Sequence, residues 1–279
     1  MAYKTVLTVV TDEGLVPSTI DHAAALASDW DAHLEVLCFG VDRTQTGYYY
    51  AGANAMILQE TLDRATADAS RLTAAARTAL ERTSARWSVE EGVAQLVDIG
   101  RHVAGRARFA DVVVLPQPYG EGRGVELEPV VEGALFDGQT PVLVVPDGAT
   151  PVARPARVVV AWNESSEALR AVRAALPLLQ AADQVHVVVI DPPQHGANRS
   201  DPGGMLSQYL SRHGVAAEID VLSKTMPRVS DVLNRHARDV DAQMIVMGAY
   251  GHSRFREAIL GGATRHMLEQ AAVPVFLAH

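Results

Sequence analysis

Four glycines near the end of the chain have the types and spacing that could hold a phosphate. Gly248 and Gly251 are separated by two residues, and nine further residues lead to Gly261 and Gly262. Glycine lets a backbone turn tightly and approach a ligand without a Cβ atom in the way. A helix is predicted from Ala263 onwards, and the free N–H groups at a helix start favour an anion. The alternative is a Gly-rich turn that merely connects a strand to a helix.

Polar residues around these glycines favour nucleotide binding over catalysis. Thr264 offers a hydroxyl, and His252, Arg254 and Arg256 bring positive charge to an otherwise acidic chain. No Gly-Lys-Ser/Thr sequence ends the segment, and the compact Gly-x-Gly-x-x-Gly fingerprint is absent from it. Neither a catalytic triad nor a His-x3-His or Cys-x2-Cys metal spacing occurs. We therefore assign no catalytic residue and no metal ligand, and expect weak ATPase activity at most.

The elements that must position these residues occur twice along the chain. The apolar run 112–115 matches 244–247, and Pro141 matches Pro274, at an offset of ~133 residues. A segment rich in Pro, Gly and small residues, 147–155, separates the two copies and has the composition of a linker. The repeat predicts two tandem domains, 1–148 and 155–279.

Strands that are apolar on both faces and alternate with helices predict a parallel sheet covered on both sides. Right-handed crossovers make such a domain a doubly wound α/β fold. Ligands of these folds bind beyond the carboxyl ends of the strands, where the strand order reverses. That rule places the candidate site near Asn163, Asp191 and Gly248.

The first half carries a long insertion, 41–85, with a helical pattern inside it. Its apolar residues keep a narrow stripe, which indicates a helix that covers the sheet or, alternatively, a dimer contact. The stripe consists of Leu58, Leu62, Ala65, Ala69, Leu72, Ala76 and Leu80. Three consecutive tyrosines, 48–50, precede it and could face a partner or the other domain. A second helix is predicted over 94–107.

Composition excludes several classes of partner. The formal net charge of −9 disfavours binding to nucleic acid and to anionic membranes. No apolar run approaches the ~20 residues of a membrane span, and the N-terminus does not have the pattern of a signal peptide. The single cysteine, Cys38, suits a reducing compartment, so we expect a cytoplasmic protein.

The segment 244–278 resembles the C-terminal part of a universal stress protein domain. The shared features are the Gly-x2-Gly-x9-Gly spacing and the Val273-Pro274-Val275 strand. The resemblance extends over the whole chain as two tandem domains, strongly in the second half and by topology in the first. It implies an adenine nucleotide α-hydrolase-like fold, with a five-stranded parallel sheet and helices on both faces in each domain. It also implies bound ATP in the C-terminal domain.

The resemblance further implies which residues surround the nucleotide. Asn163 takes the place of the family's acidic residue after the first strand, and Gly262 takes the place of its Ser or Thr. Thr264 keeps a hydroxyl at the helix start. The full set of predicted binding residues is Asn163, Val189, Met247, Gly248, Gly251, Gly261, Gly262, Ala263 and Thr264.

The first half departs from this pattern at the matching place. Its sequence from Leu115 to Gly124 holds two prolines, which remove N–H donors and stiffen the turn. Glu121, Glu126 and Glu128 would repel phosphate, although Asp12 ends the first strand as the family would have it. We expect this half to be structural or to recognise something else.

Three hypotheses follow for the whole chain. The first is a stress-response module that binds ATP in its second domain as a regulatory ligand. The second is a nucleotide-free assembly protein, and the third is an enzyme such as a slow ATPase or nucleotidyl transferase. The last strands of the two domains are expected to pair within one chain, and whole chains could also form a dimer.

Overall fold

The computed structural model describes residues 2–43, 54–192, 201–249 and 262–279, with backbone only at positions 54, 55 and 57. The chain divides into two compact units, Tyr3–Thr140 and Pro141–His279. The predicted domain boundaries at 148 and 155 stay a prediction.

The N-terminal unit alternates strands and helices. Its elements are β1 (Thr5–Val10), α1 (Val16–Asp29), β2 (His33–Asp42), α2 (Asn54–Leu80), β3 (Arg86–Gln95), α3 (Ile99–Ala107), β4 (Val112–Pro116) and α4 (Leu127–Glu132). A π-helical turn, Gly133–Asp137, continues α4. The strands lie in the order β3-β2-β1-β4, and their pairs are parallel.

The C-terminal unit repeats this alternation. Its elements are β5 (Val142–Val145), β6 (Arg157–Ala161), α5 (Ser166–Ala181), β7 (Gln184–Ile190), α6 (Gly204–Arg212), β8 (Ala217–Leu222), α7 (Val229–Asp239), β9 (Met244–Gly248), α8 (Ala263–Gln270) and β10 (Val275–Ala278). The strand order is β5-β10-β9-β6-β7-β8. All pairs from β10 to β8 are parallel.

The two units share one topology, which confirms the predicted duplication and the doubly wound α/β class. The order β3-β2-β1-β4 in the first unit corresponds to β8-β7-β6-β9 in the second. The equivalent strands β4 and β9 are almost wholly buried, as continuous apolar runs in parallel sheets should be. In both units the strand order reverses between the first strand and the fourth.

The pairing expected of the last strands is present within the chain. Strand β5 pairs antiparallel with β10, with Val144 opposite Val275 and Val142 opposite Leu277. Both strands are buried throughout. The pairing satisfies backbone groups that an edge strand would leave open. It also explains why β5 belongs to the compact C-terminal unit. A dimer of whole chains stays a prediction.

Two elements differ from the sequence-based expectations. The helix predicted from residue 94 begins at Ile99, because β3 continues to Gln95 in register with Asp42 of β2. Helix α6 was not predicted, and it begins after Gly203, whose φ of 92° is in the left-handed region.

Helix α2 covers the sheet along its second part. Ala65, Ala69 and Leu72 are buried, and a Cβ atom at Gly40 of β2 would overlap the carbonyl oxygen of Ala65. The first part differs, because Leu58 and Leu62 are 43% and 47% exposed. The cover-helix interpretation is confirmed for the buried part, whereas residues 48–50 lie outside the described ranges. None of the described helices is both long enough and apolar enough to cross a membrane.

Candidate functional site

The strand order of the C-terminal unit defines where a ligand would bind. From β6 the chain proceeds to β7 on one side, and it later returns to the other side of β6 as β9. The crevice of such a fold opens at the carboxyl ends of the two strands where this reversal occurs. Ala161 at the end of β6 pairs with Met247 on one side and Val188 on the other.

The predicted residues that the structure describes gather at this edge. Asn163 lies two residues beyond β6, Val189 lies one residue before the end of β7, and Met247 and Gly248 end β9. Gly262, Ala263 and Thr264 form the start of α8. Gly251 and Gly261 lie outside the described residues, as do His252, Arg254 and Arg256.

Asn163 begins the turn that starts α5. Its Oδ1 accepts a hydrogen bond from the backbone N–H of Ser165 at 3.2 Å, and the Ser165 hydroxyl oxygen accepts one from Ala168 N at 3.1 Å. Glu164 between them has a φ of 62°. Such side-chain acceptors bind the backbone N–H groups of a first helical turn, which have no acceptor within the helix. Asn163 therefore has a structural role in addition to any contact with a ligand.

Gly248 is required by packing inside the protein. A Cβ atom at this position would overlap the backbone nitrogen of Ala168 and lie 2.7 Å from the carbonyl carbon of Glu167. The end of β9 thus touches the first turn of α5. The sequence suggested that this glycine makes room for a ligand, whereas the structure gives a sufficient reason within the fold.

Two apolar side chains lie near the carboxyl ends of β7 and β9, the strands on either side of β6. Val189 and Met247 are 6% and 7% exposed. The Cγ2 atom of Val189 also faces Gly203, because a Cβ atom there would lie 3.6 Å away. Gly203 was missed by sequence reasoning, since only its place before α6 brings it beside Val189.

The start of α8 has the features of an anion site. No side chain from the described part of the chain caps the helix at Gly262. The carbonyl oxygen of Gly262 accepts a hydrogen bond from His266 N at 3.2 Å and lies 3.1 Å from His266 Nδ1. Thr264 is buried in the first turn. The N–H groups of this turn and the helix dipole favour a phosphate here.

Glu167 adds a negative charge that sequence reasoning missed. It lies in the first turn of α5, against Gly248. A hydrogen bond from its own backbone N–H is the largest cause that lowers its pKa, and the Ser166 hydroxyl adds to it. A carboxylate accepts hydrogen bonds from hydroxyls and repels phosphate. This side of the crevice therefore suits a sugar hydroxyl, and the α8 side suits a phosphate.

The corresponding place in the N-terminal unit is filled by the protein's own side chains. Glu126 stands at the start of α4 with its side chain 1% exposed, and its Oε1 is 2.8 Å from Arg43 Nη2. A Cβ atom at Gly124 would lie 2.6 Å from the Glu126 carboxyl carbon. The Tyr119 hydroxyl donates a hydrogen bond to Glu128 at 2.9 Å. A carboxylate thus lies where a phosphate would have to bind.

The fold and this sheet edge identify a duplicated, doubly wound α/β protein with a strand reversal in each unit. Residues 156–279 match the model of the Universal stress protein family. The C-terminal half of the chain is therefore a universal stress protein domain.

The fold of the whole chain is similar to two solved structures. One is a universal stress protein from Archaeoglobus fulgidus, with a TM-score of 0.67, 16% identity, and coverage of 98% of this chain and 95% of that one. The other is a protein of unknown function from Pseudomonas aeruginosa, with a TM-score of 0.57, 14% identity, and coverage of 99% and 92%. At these identities the similarity establishes the fold alone.

A similarity in sequence is found with a universal stress protein of Synechocystis. The two are 26% identical over 96 residues, which make up 33% of this chain and 31% of the relative. The chain thus spans about a third of the length of that protein.

Proposed function

We propose that the C-terminal domain binds an adenine nucleotide, in the first place ATP, as a regulatory ligand. The observation that carries the proposal is the strand reversal between β6 and β9, with the start of α8 in the same domain, which no side chain of the described residues caps. Membership of residues 156–279 in the universal stress protein family supports it.

The chemistry of the crevice suits the three parts of such a ligand. Val189 and Met247 offer an apolar surface for the adenine. Asn163 and Glu167 offer oxygen acceptors for ribose hydroxyls. The start of α8 at Gly262 offers N–H donors for phosphate.

Direct binding tests the proposal. Native mass spectrometry of the purified chain should detect a co-purifying adenine nucleotide, and calorimetry on stripped protein should give saturable ATP binding. ATP at 100 times its Kd should stabilise the fold by about 2.7 kcal/mol, which a thermal unfolding curve can measure. GTP is the matched ligand control. Stripped protein that gives neither binding heat nor a thermal shift with ATP contradicts the proposal.

Variants at the start of α8 locate the phosphate. Thr264→Val keeps the shape but removes the hydroxyl, so ATP should bind about 10- to 100-fold more weakly, the range for a lost hydrogen bond to a charged group. Thr264→Ser keeps the hydroxyl and is the control. Equal ATP affinity in the Val and Ser variants would place the phosphate elsewhere. Gly262→Ser supplies the hydroxyl common in the family and should tighten binding.

A nucleotide-free assembly protein is the second candidate. The packing of Gly248 against α5 favours it, because that glycine is explained without any ligand. The β5–β10 pairing favours it too, since it joins the last strands of the two halves. This candidate expects no nucleotide in native mass spectrometry. Light scattering on the same sample would determine whether whole chains form a dimer.

A further inference from the structure

Two histidines and one aspartate from three elements of the C-terminal unit meet at one point. Asp220 Oδ2 on β8 is 2.9 Å from His186 Nδ1 on β7 and 2.9 Å from His236 Nε2 on α7. The three atoms all lie within 4.8 Å of one another. Sequence reasoning missed the group, because its members are 34 and 16 residues apart.

The fold brings these side chains to one face of the sheet. In the parallel register of β7 and β8, His186 is opposite Glu218 and Val188 is opposite Asp220, so the alternation of side chains puts all four on the same face. Helix α7 contributes His236 one turn after the buried Val232. The three side chains are 11%, 20% and 14% exposed, so solvent and small ions can reach them.

We propose that His186, Asp220 and His236 bind a divalent transition-metal cation of the zinc class. This site is separate from the proposed nucleotide crevice and goes beyond that function. Imidazole nitrogens and a carboxylate oxygen are ligands that such ions accept, and three protein ligands leave a fourth position for water.

The carboxylate and each ring lie close to the separation that an ion requires. Bonds of about 2.1 Å in a tetrahedral arrangement put neighbouring ligand atoms about 3.4 Å apart. The two 2.9 Å separations would therefore open by about 0.5 Å, and the two ring nitrogens lie within 4.8 Å of each other. Each ring must present a lone pair to the metal, so its proton resides on the other nitrogen, which is His186 Nε2 or His236 Nδ1.

The choice of ion follows from the donor set. Calcium and magnesium prefer sites made of oxygen ligands, whereas this site has two nitrogens and one carboxylate. The ion's double charge exceeds the single charge of Asp220, which favours a further oxygen ligand such as water or hydroxide.

Metal titration of the full chain tests the site. EDTA-treated, dialysed protein is titrated with CoCl2 while the visible spectrum is recorded, and then with ZnCl2 in a calorimeter. We expect one ion per chain, a four-coordinate Co²⁺ spectrum, and a Zn²⁺ Kd on the order of 1 µM or below. Wild-type protein without saturable one-to-one binding of either ion would overturn the proposal.

Three variants separate metal binding from a structural hydrogen-bond network. His186→Asn and His236→Gln place an amide near the lost ring nitrogen, and Asp220→Asn keeps the shape of the carboxylate. Each should weaken Zn²⁺ binding by at least the 10- to 100-fold that loss of an outer partner costs a metal site. His213→Asn, at an exposed histidine of the same unit, is the control and should bind Zn²⁺ as wild type does.

Thermal unfolding distinguishes the two roles. In EDTA the amide variants should unfold near the wild-type temperature, and only the wild type and His213→Asn should gain stability when Zn²⁺ is added. Equal Zn²⁺ affinity in the cluster variants and the control would refute the site. A variant that fails to fold in EDTA is replaced by the other two, whose ion stoichiometry still decides the question.

Discussion

The two halves of the chain reverse their strand order at the same place but use the resulting edge differently. In the N-terminal unit the start of α4 holds the buried carboxylate of Glu126, which pairs with Arg43. In the C-terminal unit the start of α8 at Gly262 has no side-chain cap from the described residues. One copy of the duplicated fold thus has a buried carboxylate at this helix start, whereas no described side chain caps the helix in the other copy.

A shared topology is therefore not sufficient for a phosphate-binding site. Two residues beyond each first strand, a side-chain oxygen accepts a hydrogen bond from the backbone N–H two positions further on: Asp12 from Gly14 at 2.7 Å, and Asn163 from Ser165 at 3.2 Å. This turn is shared, whereas the charge at the later helix start differs. The proposed binding of a phosphate therefore depends on the residues at this helix start and not on the shared turn.

The largest effect is expected where the C-terminal unit is packed most tightly. Gly248→Ala places a Cβ atom on the backbone of Ala168, which cannot move without shifting α5. Overpacking of this kind should cost about 3 kcal/mol or more of unfolding free energy, measured by urea denaturation. Gly105→Ala in α3, where a Cβ atom meets nothing within 4 Å, is the control and should be neutral or stabilising. If Gly248→Ala leaves the unfolding free energy unchanged, packing does not require this glycine, and ligand binding becomes the better explanation for it.

The next effect concerns the buried carboxylate of Glu126 at the start of α4, in the N-terminal unit. Arg43→Ala leaves the Glu126 carboxylate buried without its cation and should cost about 1–3 kcal/mol in urea denaturation. Adding Glu126→Gln to Arg43→Ala should restore part of this loss, because the buried charge is then gone. Arg64→Ala removes an exposed pair with Glu60 and serves as the control, with less than about 0.5 kcal/mol expected. Additive losses in the double variant would contradict the pairing.

The turns shared by the two halves should give equal and smaller effects. Asp12→Ala and Asn163→Ala each remove one side-chain acceptor from a backbone N–H, at a cost of about 1 kcal/mol in thermal unfolding. Asn163→Asp keeps the acceptor and should be nearly neutral. A much larger loss at one of the two positions would mean that the halves do not share this turn.

The smallest effect is a pH dependence that arises at the start of α5 in the C-terminal unit. The pKa of Glu167 is lowered in the fold, so its stabilisation is present above the pKa of the unfolded chain and is lost as pH falls through the folded value. At pH 7 the free energy of unfolding of the wild type should be a few tenths of a kcal/mol higher than that of Glu167→Gln. In acid the two values should become equal. If the free energies of unfolding of Glu167→Gln and the wild type differ by the same amount at every pH, this prediction is wrong.

Much of the fold could be predicted from patterns along the chain. The repeated apolar runs indicated two doubly wound units, because strands buried on both faces are apolar throughout. Boundaries were less predictable: β3 continues to Gln95, since its register with β2 rather than its own composition determines its end.

The candidate nucleotide site was predicted in part. The spacing of the glycines and the family resemblance led to Asn163, Val189 and Gly248, and the fold places these three at one sheet edge. Gly203 and Glu167 could not be found in the same way, because each approaches the edge from another element.

By itself the sequence determined the duplication, the fold class and the location of the candidate crevice. These follow from hydrophobic periodicity and strand order, which are properties of the chain's own pattern. Three contacts follow only from the tertiary structure. Gly248 packs against α5, and the buried Glu126 pairs with Arg43 at the start of α4. His186, Asp220 and His236 come together at one point. Such contacts join residues far apart in sequence, so only the folding of strands and helices onto one another brings them within reach.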